Sequence, residues 1–341
     1  MPISIVVGGQ FGSEGKGKVA HYLAKEQKAS VAVRCGGTNS GHTVIDDNRE
    51  AQVFRQLPTA AILPDVKLAL CAGTYIDVKI LQEELARANV EDKRLFIDPY
   101  AVIITESHKA SESNSGLIGD IGSTGSGTGA AVIERLQRRE DTLFAKDVPE
   151  LSHFIQDVSD KLRSRLNRKQ RIILEGTQGF GLSPLHSKLN PYVTSRDTTA
   201  AGFLSEVGLS PFDVDEVAMV LRAFPIRVGG NSGPLPNEID WQTVSKGCGK
   251  KNICEWTSVT KHVRRVGRFD AELVKKAIQA NSPSLIFLNH LDYLEGEIES
   301  QLSTAATLFV EEVETAIDST VSYFGTGRST ILSSREEVQS G

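Results

Sequence analysis

Residues 3–18 read Ile3-Ser4-Ile5-Val6-Val7-Gly8-Gly9-Gln10-Phe11-Gly12-Ser13-Glu14-Gly15-Lys16-Gly17-Lys18, and this stretch decides the fold. The β-branched run 3–7 reads as a strand buried on both faces, and a helical pattern follows Lys16. Glycines between them let backbone N–H groups approach an anion, and the N-terminus of the helix adds positive potential. The loop is not a Walker A sequence: Gln10 through Glu14 separate Gly9 from Gly15, one residue too many, and Gly17 stands where a Mg²⁺-binding Ser or Thr belongs. On this stretch alone, a tight structural turn and a phosphate cradle both stand.

Working outward, short apolar runs recur at 31–33, 68–70, 101–105, 172–174, 217–224 and 285–288, each reading as a further buried strand. Helical patterns lie between several of them; Leu151, Phe154, Ile155, Val158 and Leu162 mark one face of a helix at a 3.6-residue period. The alternation predicts an α/β fold with a mainly parallel, doubly wound sheet, helices on both faces and long ligand-binding loops. With no internal repeat and no low-complexity linker, residues 1–341 are expected to form a single domain. Glycine-rich stretches at 8–17, 36–41, 122–129, 176–181, 229–233 and 325–327 follow predicted strands. In open α/β sheets ligands bind beyond the carboxyl ends of the strands, so these loops are expected to meet at one crevice.

Composition narrows the function classes. The chain has 341 residues, 40% hydrophobic and 24% charged, enough apolar material for a large core. Its 38 basic and 43 acidic residues give a net charge of −5, which argues against a nucleic-acid partner. No apolar run is long enough to cross a bilayer, so no membrane partner is expected and the cytoplasm is the expected location. Cys35, Cys71, Cys248 and Cys254 are too few and scattered for a disulfide framework, and the Cys248/Cys254 spacing does not suit zinc.

The other loops carry polar groups of one kind. Gly36-Gly37-Thr38-Asn39-Ser40-Gly41-His42-Thr43 places a histidine where it could stabilise charge beside a phosphoryl group, or simply be exposed. Gly122-Ser123-Thr124-Gly125-Ser126-Gly127-Thr128-Gly129 offers hydroxyls and N–H donors to a monophosphate, with Arg138 and Arg139 following; those arginines equally suit a solvated helix face. Glu175-Gly176-Thr177-Gln178-Gly179 and residues 191–199 add an amide suited to a purine edge and hydroxyls for phosphate or ribose. Arg227, Arg264 and Arg265 supply cations for carboxylate or phosphate. Together these loops imply two or more anionic ligands bound side by side.

In order and over nearly the whole chain, these motifs resemble the adenylosuccinate synthetase family, whose fold is related to the P-loop NTPases: Gly12-Ser13-Glu14-Gly15-Lys16-Gly17-Lys18, Asn39-Ser40-Gly41-His42-Thr43, Thr124-Gly125, Glu175 to Gly179, Pro191 to Ser195, Arg227-Val228-Gly229 and Arg264-Arg265-Val266-Gly267. The resemblance implies a carbon–nitrogen ligase of purine biosynthesis that uses a nucleoside triphosphate and Mg²⁺ to join L-aspartate to C6 of a 6-oxopurine nucleotide. It assigns the donor triphosphate to Gly12, Glu14, Gly15, Lys16 and Gly17, and the donor base region to Asn289, Asp292, Gly325 and Gly327. Mg²⁺ falls to the Gly41 carbonyl and the Ser13 position, charge stabilisation at O6 and the transferring phosphoryl to His42, and the donor's γ-phosphate to Lys16 with the loop amides. The substrate nucleotide falls to Asn39, Thr124, Gln178, Thr194 and Val228, with Arg138 reaching its phosphate from the second subunit of a homodimer. Aspartate falls to Ser258, Val259, Thr260 and Arg265.

Departures from the family pattern refine this. Ser13 replaces the Asp that removes the N1 proton of IMP, and a serine near its ordinary pKa is no such base. Ser or Thr at this place resembles a bacteriophage subgroup that acts on dGMP to make 2-amino-2′-deoxyadenylosuccinate, for which the location would be the host cytoplasm. Asn289-His290-Leu291-Asp292 replaces a Thr-Lys-Leu-Asp guanine motif and the companion loop shrinks to Gly325-Thr326-Gly327-Arg328, favouring ATP or dATP over GTP. Lys261-His262 replaces a family Gly-Arg pair. Two other readings stand beside the dGMP ligase: an ordinary synthetase using IMP and GTP, and a nucleotide-binding switch without ligase activity.

Overall fold

The computed structural model describes residues 2–248, 253–257, 262–296 and 300–334. Its centre is a nine-stranded sheet. In chain order the strands are β1 (Ile3–Gly8), β2 (Val31–Arg34), β3 (Lys67–Leu70), β4 (Leu95–Ile97), β5 (Ile172–Glu175), β6 (Val214–Arg222), β7 (Leu285–Asn289), β8 (Tyr323–Gly325) and β9 (Ile331–Ser333). Across the sheet they run β9-β8-β7-β6-β1-β5-β2-β3-β4. Every neighbouring pair is parallel except β8 and β9, which are antiparallel.

Period-two alternation divides the apolar residues between two faces. Ile3, Ile5, Val7, Val31, Val33, Ile172, Leu174, Met219 and Leu221 join one cluster, covered by the helices Val158–Asn167, Ala200–Val207, Ala271–Asn281 and Thr304–Ile317. Val6, Ala32, Ile173, Ala218, Val220 and Phe287 face the other way, against Val19, Ala20, Leu23 and Ala24 of the helix Lys16–Glu26. Burial on both faces is why these strands read as unbroken apolar runs. Chain order turns back on either side of β1, so the loops after β1, β2, β5, β6 and β7 gather at one edge.

Three local expectations change. The run 101–105 is not in the main sheet: Val102–Ile103 pairs with Tyr75–Ile76 in a separate two-stranded sheet, while β4 takes the edge place beside β3. The face from Leu151 to Leu162 is two elements, a 3₁₀ helix Pro149–Phe154 and the helix Val158–Asn167. Ile155 bridges to Ile97, and Asp157 caps the second helix by accepting from the Asp160 N–H at 2.9 Å. Residues 122–129 follow no strand but join the helices Leu117–Ile121 and Thr128–Gln137.

Gly17 owes its identity to packing. A Cβ there would lie 2.8 Å from the His42 Cβ and 2.9 Å from Thr59 Cγ2. The helix Lys16–Glu26 can approach the strand His42–Ile45 this closely only without a side chain at that point.

Candidate active site

A cavity of about 350 Å³ opens beyond the carboxyl ends of β1, β2, β5, β6 and β7. Ser13 and Lys16 from the first loop, Asn39, Gly41 and His42 from the second, and Gln178, Val228 and His290 from the next three face it. Thr124 reaches it from the 122–129 turn.

The first loop is shaped by left-handed residues at Gly12 (φ +89°) and Gly15 (φ +91°), with Ser13 between them at φ 59°. Inside it, the fully buried Glu14 carboxylate accepts from the N–H groups of Gln10 at 3.1 Å and Gly12 at 2.8 Å. Its other oxygen meets Lys16 Nζ at 2.6 Å. The Gln10 amide clamps the loop to β6, accepting from Arg222 N at 3.0 Å and donating to Arg222 O at 3.2 Å. A lysine and two amides of the kind that bind a phosphate are thus already gathered around an internal anion.

His42 has a second buried carboxylate behind it. Its Nδ1 lies 2.6 Å from Glu175 Oε1, and Arg34 Nη1 lies 2.6 Å from the same oxygen and against the imidazole itself. Glu175 Oε2 accepts from the Thr59 N–H at 2.8 Å and hydroxyl at 2.9 Å. Burial disfavours the Glu175 charge, but Arg34 and His42 outweigh it and hold this carboxyl below its ordinary range. Burial, then Arg34, push the His42 pKa down to about 3 despite Glu175. With Nδ1–H directed at Glu175, the resting imidazole is neutral and keeps Nε2 for the site.

A charged wall surrounds Ser13. Arg264 Nη1 donates to Ser13 Oγ at 2.7 Å, and Arg222 Nη1 donates to Ser13 O at 3.0 Å. Arg222 pairs with Glu255, which also accepts from the Tyr293 hydroxyl at 2.8 Å. Burial opposes ionisation of Glu255, yet Arg222, His290 and Arg264 bring its pKa down to about 2. Arg227 lies over the Phe11 ring at 4.8 Å and donates to Tyr192 O at 2.9 Å, its pKa lowered to about 10 by burial and by Arg265.

Gly12, Gly15 and Gly17 also line the cavity, and the other described residues of the expected set fall outside its lining. Thr194 Oγ1 accepts from Asn39 Nδ2 at 3.5 Å and so stands just behind it. Asn289, Asp292, Gly325 and Gly327 gather beside the first loop: Asn289 Nδ2 donates to Glu14 O at 2.8 Å, and Lys18 Nζ to Gly327 O at 3.0 Å. Burial lowers the Lys18 pKa to about 8 against the pull of Asp292. Arg265 makes a two-pronged pair with Glu238, while its neighbour Arg264 enters the cavity. Arg138 caps the helix Thr128–Gln137, exposed and away from the cavity. Ser258, Val259 and Thr260 lie outside the described residues. Sequence reading gave no role to Arg34, Arg222 and Glu255; their one signal is position, a charge ending a buried strand or preceding an arginine-rich loop.

A sheet whose crevice carries a glycine loop, a carboxylate-backed histidine and several arginines defines an enzyme that handles phosphorylated nucleotides. The family model described as adenylosuccinate synthetase matches residues 5–144 and 142–300, and the chain belongs to that family of carbon–nitrogen ligases. It is 39% identical over 334 residues to the adenylosuccinate synthetase of Methanocaldococcus jannaschii, covering 95% of this chain and 94% of that one. With the enzyme of Pyrococcus horikoshii it shares 37% over 337 residues, 96% of each. Among solved structures, the cyanophage S-2L succinoaminodeoxyadenylate synthetase, bound to dGMP and to dATP as energy donor, superposes with a TM-score of 0.82 at 32% identity over 99% of this chain and 97% of that one. The fully ligated adenylosuccinate synthetase of Plasmodium falciparum gives 0.84 over 98% and 100% at 20% identity, a likeness of fold. Membership in a ligase family supports the two ligase readings over the switch.

The low His42 pKa has a consequence for stability. Between its folded value of about 3 and the ordinary 6.5, the unfolded chain binds a proton that the folded chain refuses. Stability should therefore fall as pH drops through this window. Denaturation midpoints at pH 7 and pH 5 should show a smaller acid loss in His42→Asn than in the parent; equal losses would place the imidazole in a solvated setting.

Proposed function

We propose that this chain joins L-aspartate to C6 of dGMP with hydrolysis of ATP or dATP, giving 2-amino-2′-deoxyadenylosuccinate. The observation that carries the reading is Ser13 at the cavity wall with its oxygen held by Arg264. A serine has two fewer heavy atoms than the family's Asp and no charge, which leaves room beside N1 for a 2-amino group. It also lacks the basicity that IMP chemistry requires. The cyanophage relative, bound to dGMP and dATP, supports this substrate pair. The archaeal relatives named adenylosuccinate synthetase support the competing one, IMP with GTP.

The chemistry has two steps. The donor's γ-phosphoryl passes to O6 of the purine while N1 loses its proton; the aspartate amine then attacks C6 and phosphate leaves. Lys16 and the loop amides of Gly15 and Gly17 hold the γ-phosphate, with Glu14 engaging the Gly12 amide and keeping the loop in shape. Two polyanions entering the cavity raise the pKa of His42, and the imidazolium, backed by Glu175, stabilises charge on O6 and the phosphoryl oxygens. Proton loss from N1 runs through the Ser13 hydroxyl to a donor phosphate oxygen or a water.

Asn39, Thr124, Gln178, Thr194 and Val228 hold the nucleotide, and Ser258, Val259 and Thr260 hold aspartate, with Arg264, which enters the cavity, taking the place expected of Arg265, which is held by Glu238. Asn289, Asp292, Gly325 and Gly327 form the donor-base region. The Gly41 carbonyl lines the cavity and is a hard oxygen donor that would hold Mg²⁺; the Ser13 position lines it too, but its hydroxyl already accepts from Arg264. When bound there, Mg²⁺ would neutralise charge on the triphosphate.

Arg138 serves the site from a second copy in a homodimer. Supporting this, Ile133 and Leu136 on the same helix are 58% and 73% exposed. Sedimentation of the parent should give a dimer and Leu136→Glu a monomer; a monomeric parent would remove the role.

Aspartate-dependent phosphate release should be fastest with dGMP in a panel of dGMP, GMP, IMP and dIMP, with ATP supporting at least the rate of GTP. Ser13→Asp should slow dGMP turnover. A kcat/KM for IMP equal to that for dGMP, or ATP nearly inactive beside GTP, returns the chain to the ordinary synthetases.

His42→Asn should lower kcat by ~10²-fold or more with little change in nucleotide KM, the pattern of a group that acts on the transition state. A raised KM with normal kcat would make it a binding residue.

A further inference from the structure

The turn at 122–129 has the composition of a monophosphate cradle, yet much of its amide set is occupied. Glu112, on the helix Glu106–Asn114, is only 5% exposed. Its Oε2 accepts from Gly127 N at 2.9 Å, and its Oε1 from Gly129 N at 2.6 Å and Ala130 N at 3.2 Å. These amides open the helix Thr128–Gln137, where unpaired N–H groups and the helix dipole favour an anion. The carboxylate fills the place a phosphate would take there. The turn is also pressed against Glu112's own helix, since a Cβ on Gly127 would meet Lys109 N at 3.0 Å. Thr124, at the front of the turn, remains exposed and faces the cavity.

We propose that Glu112 is a positioning residue for the substrate's monophosphate. It pins the rear of the turn to the helix Glu106–Asn114 and thereby fixes where Thr124 projects. Its charge also denies the helix N-terminus to phosphate, so the substrate phosphate is confined to the Thr124 side. This rests on the reading of the substrate as a purine nucleoside monophosphate. A carboxylate that merely capped the helix would add stability and leave substrate affinity alone.

Glu112→Gln keeps the shape but sets an amide NH₂ against backbone donors. The KM for dGMP should rise about tenfold, the size of one buried hydrogen-bond conflict, with kcat within about threefold. The KM values for ATP and aspartate should stay unchanged. In Glu112→Ala the vacated amides should accept inorganic phosphate, which should inhibit competitively against dGMP at lower concentration than in the parent. Gly129→Ala is a milder probe that keeps the carboxylate, because its Cβ would lie 3.0 Å from Glu112 Oε1; it should raise the dGMP KM severalfold even where the Glu112 variants fail to fold.

A lower Tm with no change in KM, or equal rises in all three KM values, overturns the proposal. If the parent releases no phosphate with aspartate and any purine monophosphate, the functional reading fails first. Calorimetric binding of dGMP to parent and Gly129→Ala then decides Glu112: weaker binding to the variant sustains the proposal, whereas equal binding, or none to the parent, overturns it.

Discussion

The Glu175 carboxylate, at the end of a central strand and shut off from water, is the constraint around which the crevice is arranged. A buried charge is tolerated only when its hydrogen bonds are satisfied, and the partners of Glu175 come from separate parts of the chain. Arg34 ends β2, His42 begins the next hairpin, and Thr59 starts a 3₁₀ helix. Meeting the needs of one carboxylate therefore fixes the geometry between β5, β2 and the segment that crosses the helix Lys16–Glu26. Gly17 is small because that crossing is close. Removing either Glu175 or Arg34 would leave its partner as an uncompensated charge, so the pair is maintained by the cost of breaking it more than by the strength of its attraction.

The same device recurs at the glycine loop after β1 and at the 122–129 turn. Glu14 gathers Lys16 and two amides, and Glu112 gathers the amides of the second turn. Glu255 lies among Arg222, Arg264 and Tyr293. Cations and aligned N–H groups packed around an empty crevice would repel one another and lose solvation. Internal carboxylates hold them in place before any ligand arrives, which is the preorganisation that electrostatic stabilisation of a phosphoryl transfer requires. It follows that net charge is a poor guide to this protein's ligands. A chain of charge −5 can still gather cations and N–H donors at a crevice because carboxylates such as Glu14, Glu112 and Glu175 are turned inward.

How legible this was depends on the kind of signal. The buried strands β1, β2, β5, β6 and β7 showed as apolar runs because both faces are covered, and the loops that follow them showed as glycine and hydroxyl clusters. Tyr323–Gly325 and Ile331–Ser333 are too short for any periodicity to emerge. The run at 101–105 is apolar for packing in a lesser sheet, which composition cannot distinguish from the main one. Within the crevice, residues adjacent in sequence to glycines were found, whereas Arg34, Arg222 and Glu255 were not. Their partners lie far away in sequence, 141 residues in the case of Arg34 and Glu175, and nothing local marks a charge as buried. Arg264 and Arg265 make the point most sharply: alternate residues of an extended segment point opposite ways, and only the fold tells which of the two enters the cavity.

Ser13 joins these strands of argument. Its main chain is held by Arg222 and its side chain by Arg264, both tied to Glu255, so the hydroxyl is oriented by the charged wall around it and not free to rotate. An oxygen that accepts from a guanidinium keeps one lone pair and its own proton for the site. On the proposed reading these suit the two edges it must face, since a guanine presents N–H donors and a triphosphate presents acceptor oxygens. An aspartate in the same place could accept from the guanine edge but could not donate to the phosphate, and its charge would stand beside the phosphate's own. The substitution at residue 13 thus alters hydrogen-bond polarity as well as size, which is why the neighbouring arginines and not the serine alone determine what the position can do.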